Sequence, residues 1–164
     1  MLFRFKGYTE AAIFASRHSY FATSQRVQAF ISSCERLGIE TDEKYILKGS
    51  STRNGGYEIG KQYAALKEPP KMIFCDSDAI ALGALRAFHE EGISVPGDAE
   101  LLSIGMLDPE AASYYVPSLS VVEMPNKEIG QQVLRLMRKK VLNNDMSSEH
   151  VKVHAKLMLR ESFS

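Results

Sequence analysis

Short apolar runs alternating with segments of helical period constrain this chain more than any other feature. Ala12-Ile13-Phe14-Ala15, Tyr45-Ile46-Leu47, Met72-Ile73-Phe74-Cys75 and Leu101-Leu102-Ser103-Ile104 are each too short for a helix and lack a polar face. Such runs read as strands buried on both sides. Between them, Val27, Phe30, Ile31, Cys34 and Leu37 recur at helical spacing from about Ser24 to Leu37, with Gly38 placed to cap the end. A loop from Gly49 to Gly56 leads into a helix carrying Tyr57, Tyr63, Ala64 and Leu66, stopped by Pro69-Pro70. The segment from Ala79 to Glu91 puts Ile80, Ala84, Leu85 and Phe88 on one face and ends at Gly92. Strand and helix in alternation predict a three-layer α/β fold, a doubly wound and mostly parallel sheet with helices on both faces.

The pattern changes after the fourth run. An irregular acidic and aromatic stretch, Asp108 to Pro117, precedes Ser118 to Val122, which reads as extended. Asn126 is placed to cap a helix running to about Leu142. Val151, Val153, Ala155, Leu157 and Leu159 then alternate with Lys152, His154, Lys156 and Arg160, the period of a strand with one polar face.

Charge bears on what the chain can touch. Lys plus Arg and Asp plus Glu are 20 each. A domain that grips nucleic acid through phosphate neutralisation carries a basic excess, and this one has none. Any contact with DNA is therefore expected from a segment outside it. Cys34 and Cys75 sit in apolar runs and read as buried free thiols rather than a disulfide or metal pair. No stretch has the length and apolarity of a membrane span.

In open parallel sheets ligands bind beyond the carboxyl ends of the strands, so the residues following each strand are the candidates. After the third strand come Asp76-Ser77-Asp78. They read equally as a helix cap and as a ligand site in which Asp78 accepts hydroxyl groups, one acid capping while the other faces the crevice. No third acid or histidine follows at the spacing a metal needs. After the first strand come Ser16-Arg17-His18, then Arg26, expected in the first turn of its helix. A cation there opposes the helix dipole, which calls for a salt bridge or a ligand. His150 and His154 share an exposed strand face with lysines, and Arg138-Lys139-Lys140 reads as a solvated helix end. No nucleophile–base pair, Walker loop or dinucleotide fingerprint is present, and no cofactor is called for; Gly55-Gly56 lacks the pattern of a phosphate cradle. A binding rather than catalytic role follows.

The run Ile73-Phe74-Cys75-Asp76-Ser77-Asp78-Ala79-Ile80-Ala81-Leu82-Gly83-Ala84-Leu85 resembles the effector-binding signature of the LacI/GalR family of transcription regulators. In the same order, Gly92-Ile93-Ser94-Val95-Pro96-Gly97-Asp98 is similar to its Val-Pro-x-Asp turn, and Leu102-Ser103-Ile104-Gly105 to its next strand. Pro117-Ser118-Leu119-Ser120-Val121-Val122 resembles its crossover, Glu128-Ile129-Gly130 its Glu-x-Gly, and Leu159-Arg160-Glu161-Ser162 its terminal motif.

The resemblance implies a periplasmic-binding-protein type I-like core of two hinged lobes with the effector between them. On this basis, residues from about 12 to 117 and 150 to 162 belong to the C-terminal lobe, and 118 to 145 to the returning part of the N-terminal lobe. The chain would then be a fragment lacking the DNA-binding headpiece, with Met1 not its natural start. It further implies a small-molecule effector, a sugar or a derivative, operator DNA reached only through the missing headpiece, a homodimer, and a cytoplasmic setting. Asp78 and Arg26 match the family's effector-binding Asp and Arg, the latter in an Arg-x-x-Gly-Phe turn where Ala29 replaces glycine. Ser51 stands where many members have a stacking aromatic, Ser77 where they have Asn, and Leu107 where an Asp is common, leaving Asp108 as the retained acid. Ser51 and Asp108 are therefore expected as rim contacts. A periplasmic solute-binding protein of the same fold is the alternative, and a doubly wound enzyme a third. If Ile129, Val133 and Leu136 normally pack on an absent lobe, that helix face is exposed here and promotes self-association.

Overall fold

The structure is a computed structural model, and it describes residues 6–18, 21–105, 109–143 and 147–163. Strand β1 (Ala11–Ser16) leads to helix α1 (Phe21–Leu37), then a 3-10 turn (Glu43–Tyr45) and β2 (Ile46–Gly49). Helix α2 (Arg53–Ala64), β3 (Met72–Cys75), α3 (Asp78–Glu91) and β4 (Glu100–Gly105) follow, then a short α4 (Pro109–Ser113), β5 (Ser120–Glu123), α5 (Asn126–Asn143) and β6 (Lys156–Met158). The six strands form one sheet in the order β2-β1-β3-β4-β5-β6. All pairs are parallel except β5 with β6. The doubly wound α/β reading of the sequence is what the chain adopts.

Alternation along the strands sorts side chains onto two faces. Ala12, Phe14, Ile73, Cys75, Leu101 and Val121 pack with Ile59, Tyr63, Ile80, Ala84 and Phe88 of α2 and α3. On the other face, Ile13, Ala15 and Phe74 meet Val27, Phe30 and Ile31 of α1, with Phe30 stacked on Phe74 at 4.3 Å between ring centroids. Phe14, Tyr63 and Phe88 form an edge-on aromatic cluster, and Tyr63 satisfies its hydroxyl by donating to the Pro70 carbonyl at 2.9 Å. Such pairs add roughly 0.5–1.5 kcal/mol each beyond simple burial.

Four local expectations change. Helix α1 begins at Phe21 rather than near Ser24, which moves Arg26 out of the first turn and away from the unfavourable end of the dipole. The segment expected to be a loop through Gly56 is helical from Arg53, with the Thr52 hydroxyl accepting from the Gly55 amide as N-cap. Its glycines serve packing: a β-carbon on Gly56 would strike the Ile80 carbonyl of α3, and one on Gly83 would strike the Arg53 carbonyl of α2. Missing side chains let these two helices approach backbone to backbone, which outweighs the poor helix propensity of glycine. Asn126 is the first residue of α5 rather than its cap.

The fourth change is at the C-terminal end. The expected strand from Val151 to Leu159 with one buried face is only Lys156–Met158, and it is exposed on both faces. Val151, Leu157, Met158 and Leu159 all face solvent, because no helix of the described residues covers this edge. Cys34 and Cys75 are buried free thiols as expected, and burial pushes the Cys34 thiol up to about 11. Gly92 ends α3 at φ 71°, a left-handed conformation only glycine adopts without strain.

Where residues 159–163 return, the terminal motif closes the sheet's far side. The Ser162 hydroxyl donates to the Leu101 carbonyl and accepts from the Ser120 amide, both at 2.8 Å. Arg160 donates to the Leu119 carbonyl at 2.8 Å, and the Glu161 carboxylate accepts from the amide and hydroxyl of Ser118. Phe163 is fully buried beside Tyr8, and the buried Glu100 takes its charge partner from Lys6 at 2.8 Å.

Candidate functional site

The strand order creates the site. From β1 the chain leaves over one face through α1, while from β3 it leaves over the other through α3. Their outgoing loops diverge, so a crevice opens between the carboxyl ends of β1 and β3, at the switch point of the sheet. The residues at that opening are Ser16 and Asp76.

Asp76 is 1% exposed. Its amide extends the ladder by donating to the Phe14 carbonyl at 3.0 Å, and its Oδ2 accepts from the Ser16 amide at 2.7 Å. Its Oδ1 is buried with no hydrogen-bond partner. Burial pushes its carboxyl above the usual range, with the Ser16 amide, the Ser77 hydroxyl and the charge of Arg26 pulling the other way. The first-named effect prevails because a carboxylate loses more on leaving water than these few donors return.

Three expected site residues lie around this pair. Arg26, half-buried in the second turn of α1, donates from Nη1 to the Asp76 carbonyl at 3.2 Å. Ser51, just past β2, donates to the hydroxyl of Ser16 in a short hydrogen bond. Asp78 opens α3, with Oδ1 accepting from the Ala79 amide at 2.8 Å. Its Oδ2 lies 3.9 Å from where a β-carbon on Gly105 would stand, which puts the carboxylate beside the end of β4. Asp108, the fourth, lies outside the described residues.

Neither acid of the Asp76-Ser77-Asp78 run is the helix cap. Ser77 is, its hydroxyl accepting from the Ile80 amide at 3.4 Å. Asp76 is the residue sequence reasoning underrated. Its position held the signal: continuing the alternation of β3, it falls on the α1 face with Met72 and Phe74, away from the helix it was thought to cap.

On that same face is a recess of about 150 Å3 lined by Ala15, Ser16, Thr23, Gln28, Lys48 and Asp76 among others. Lys48 pairs with Ala15 in register, and Asp76 follows the Phe14–Cys75 pair on the other side. A row Lys48, Ala15, Asp76 thus crosses three strands, and the small central side chain leaves the space. Among the described residues no group of three or more His, Cys, Asp or Glu is placed to hold a metal ion, and no helix is long and apolar enough to cross a membrane.

Comparison with known proteins agrees with this architecture. Residues 2–163 match the profile of the periplasmic binding protein-like domain family. The HTH-type transcriptional repressor PurR of Mannheimia succiniciproducens is 27% identical over 156 residues, covering 95% of this chain and 46% of the repressor. A LacI family transcription regulator from Clostridium acetobutylicum superposes with a TM-score of 0.89 at 31% identity, over 97% of this chain and 59% of the regulator. The complex of the transcriptional regulator CelR with cellobiose shares the fold, with a TM-score of 0.87 at 23% identity over 98% of this chain and 49% of that one. The chain thus spans about half the length of the proteins it matches. With the sheet order, the crevice and the match over nearly every residue in agreement, the chain belongs to the periplasmic binding protein-like domain family, and within it is similar to part of the LacI-type transcription regulators.

Proposed function

We propose that this chain binds a small polyhydroxylated effector, a sugar or sugar derivative, in the crevice between β1 and β3, and that it does so as the sensing part of a LacI/GalR-type repressor. The observation that carries the reading is the gathering of Ser16, Ser51, Arg26 and Asp78 at the carboxyl edge of adjacent strands. Hydroxyl groups need paired donors and acceptors. Arg26 supplies forked donors, Asp78 a carboxylate acceptor, and Ser51 a hydroxyl able to do either. Asp108 belongs at the rim on the reading of the sequence. The cellobiose bound by CelR is a precedent for this class of ligand on this fold.

Binding acts by unequal affinity for two arrangements of the complete protein, a homodimer in the cytoplasm whose operator contacts lie in a segment beyond this chain. Residues 12–117 and 150–162 then act as one lobe and 118–145 as the return to the other. No chemical turnover is involved.

Titration calorimetry with a panel of mono- and disaccharides, cellobiose included, tests the binding step. Saturable binding by at least one member, weakened tenfold or more by Asp78→Ala and by Arg26→Ala, is the expected result. No binding by any saccharide, or affinities unmoved by both substitutions, overturns it.

A further inference from the structure

Asp76 points to a narrower ligand class. We propose that the effector carries a protonated amine, as an amino sugar does, and that Asp76 receives it at the foot of the crevice. The inference rests on the crevice reading above and deepens it.

Two observations carry it. Asp76 has one carboxylate oxygen engaged by the Ser16 amide and the other buried without a hydrogen bond, the Ser77 hydroxyl being a neutral donor near the carboxyl group. Buried polar atoms in folded proteins are overwhelmingly paired, and an orphan acceptor on an acid costs more than one on a neutral group. The same residue lines a recess on the α1 face beside the switch point, where Ala15 leaves space between Lys48 and Asp76. An orphan acceptor bordering such a recess is the feature of a site completed by its ligand.

Chemistry then selects the ligand. The Arg26 guanidinium is directed to the main-chain carbonyl of Asp76 rather than to its free carboxylate oxygen. The oxygen therefore lacks a charged donor, and an ammonium group supplies both the missing hydrogen bond and the opposite charge, giving the stronger, charge-assisted bond. A hydroxyl group supplies only the bond. Two cations, Arg17 and Lys48, also line the recess; both are exposed, and Lys48 stands two strands away, about 9.6 Å at the usual strand spacing of about 4.8 Å, so their repulsion is screened by water while the attraction of Asp76 is not. On this proposal the amine enters the recess and the ring stays outside it, toward Asp78, Ser51 and Arg26, none of which lines the recess.

Calorimetry on the whole chain with D-glucosamine, D-glucose and N-acetyl-D-glucosamine, at a pH where the amine is protonated, tests this. The skeleton is constant while the group at one carbon goes from ammonium to hydroxyl to neutral amide. Expected is glucosamine at least tenfold tighter than the other two, with Asp76→Asn, which keeps an acceptor for Ser16, abolishing the preference. Equal affinities, or a preference that survives Asp76→Asn, overturn the amine proposal; if the neutral sugars bind, the sensing reading stands without it. Binding of none of the three also overturns it, and the broader saccharide panel then decides the sensing reading by itself.

Discussion

Asp76 accepts the main-chain amide of Ser16 at 2.7 Å across the gap where β1 and β3 part. The bond continues the β1–β3 ladder past its last paired residues, Phe14 and Cys75, using a side chain in place of a carbonyl. It holds the two loops of the crevice at a fixed separation, and through the Ser16 hydroxyl it ties in Ser51 and the His18 amide.

That buried acid makes stability depend on pH in a defined direction. Burial raises the Asp76 carboxyl above its ordinary value of 3.8 in the folded state. The folded chain therefore holds the proton more tightly than the unfolded chain, and stability contributed by this group is complete below about 3.8 and is lost as pH rises through the folded value. Urea unfolding followed from pH 3.5 upward should show the wild type losing stability relative to Asp76→Asn over that window. A difference that is flat with pH, or of opposite slope, contradicts the assignment.

Close approach of α2 and α3 has a direct test in Gly83→Ala. The added methyl group meets the Arg53 carbonyl and the Tyr57 amide, both backbone, so neither can move aside alone. Despite the better helix propensity of alanine, overpacking should destabilise by about 1–3 kcal/mol or more. Gly130→Ala, in a helix where a β-carbon meets nothing, is the control and should be neutral or stabilising by up to about 1 kcal/mol. Chemical denaturation of the two variants side by side gives the sign of each.

Ser162 sits where the end of the chain is tied to β4 and β5. Its hydroxyl serves the Leu101 carbonyl and the Ser120 amide together in a fully buried position. Ser162→Ala strips both partners at once, an expected loss of about 1–3 kcal/mol. Amide exchange should quicken at Ser120, whose N–H loses its acceptor, before it changes at Ile73 in the sheet centre. Uniform exchange at both would place the effect elsewhere.

Helix α5 exposes a broad apolar surface. Val133, Leu134, Met137, Val141 and Leu142 are between 50% and 77% exposed, and the face differs in part from the one the sequence suggested, since Ile129 and Leu136 are half-covered. We expect concentration-dependent self-association of this chain through α5, reduced by Leu134→Lys with Val141→Lys. Sedimentation velocity showing the same monomer at low and high concentration is the contrary outcome.

The inner strands were legible because they are buried on both faces. In Met72–Cys75 the apolar run and the observed strand coincide, and four residues at zero to four per cent exposure leave no polar alternative. Helix α3 was legible for the complementary reason, a single apolar stripe closed by Gly92. The C-terminal strand was misjudged from the same kind of pattern. Alternation between Val151 and Leu159 states that one face could be buried, but burial needs a covering layer, and none of the described elements provides it.

The site divides in the same way. Asp78 and Ser51 could be placed at one edge from the sequence because each closely follows a strand, and sheet topology gathers such residues whatever the packing, while Arg26 reaches that edge from the second turn of α1. What remained hidden was the role of Asp76, of Ser77 as cap, and of the α2 glycines. Local sequence determined the order of strands and helices, their apolar faces and the sheet edge where the polar residues after the strands gather, because those depend on periodicity and position along the chain. Only the tertiary structure decided which acid is buried, which caps, and which glycines are required, because each depends on atoms brought close from distant parts of the chain: Ser16 to Asp76, and Gly56 to Ile80.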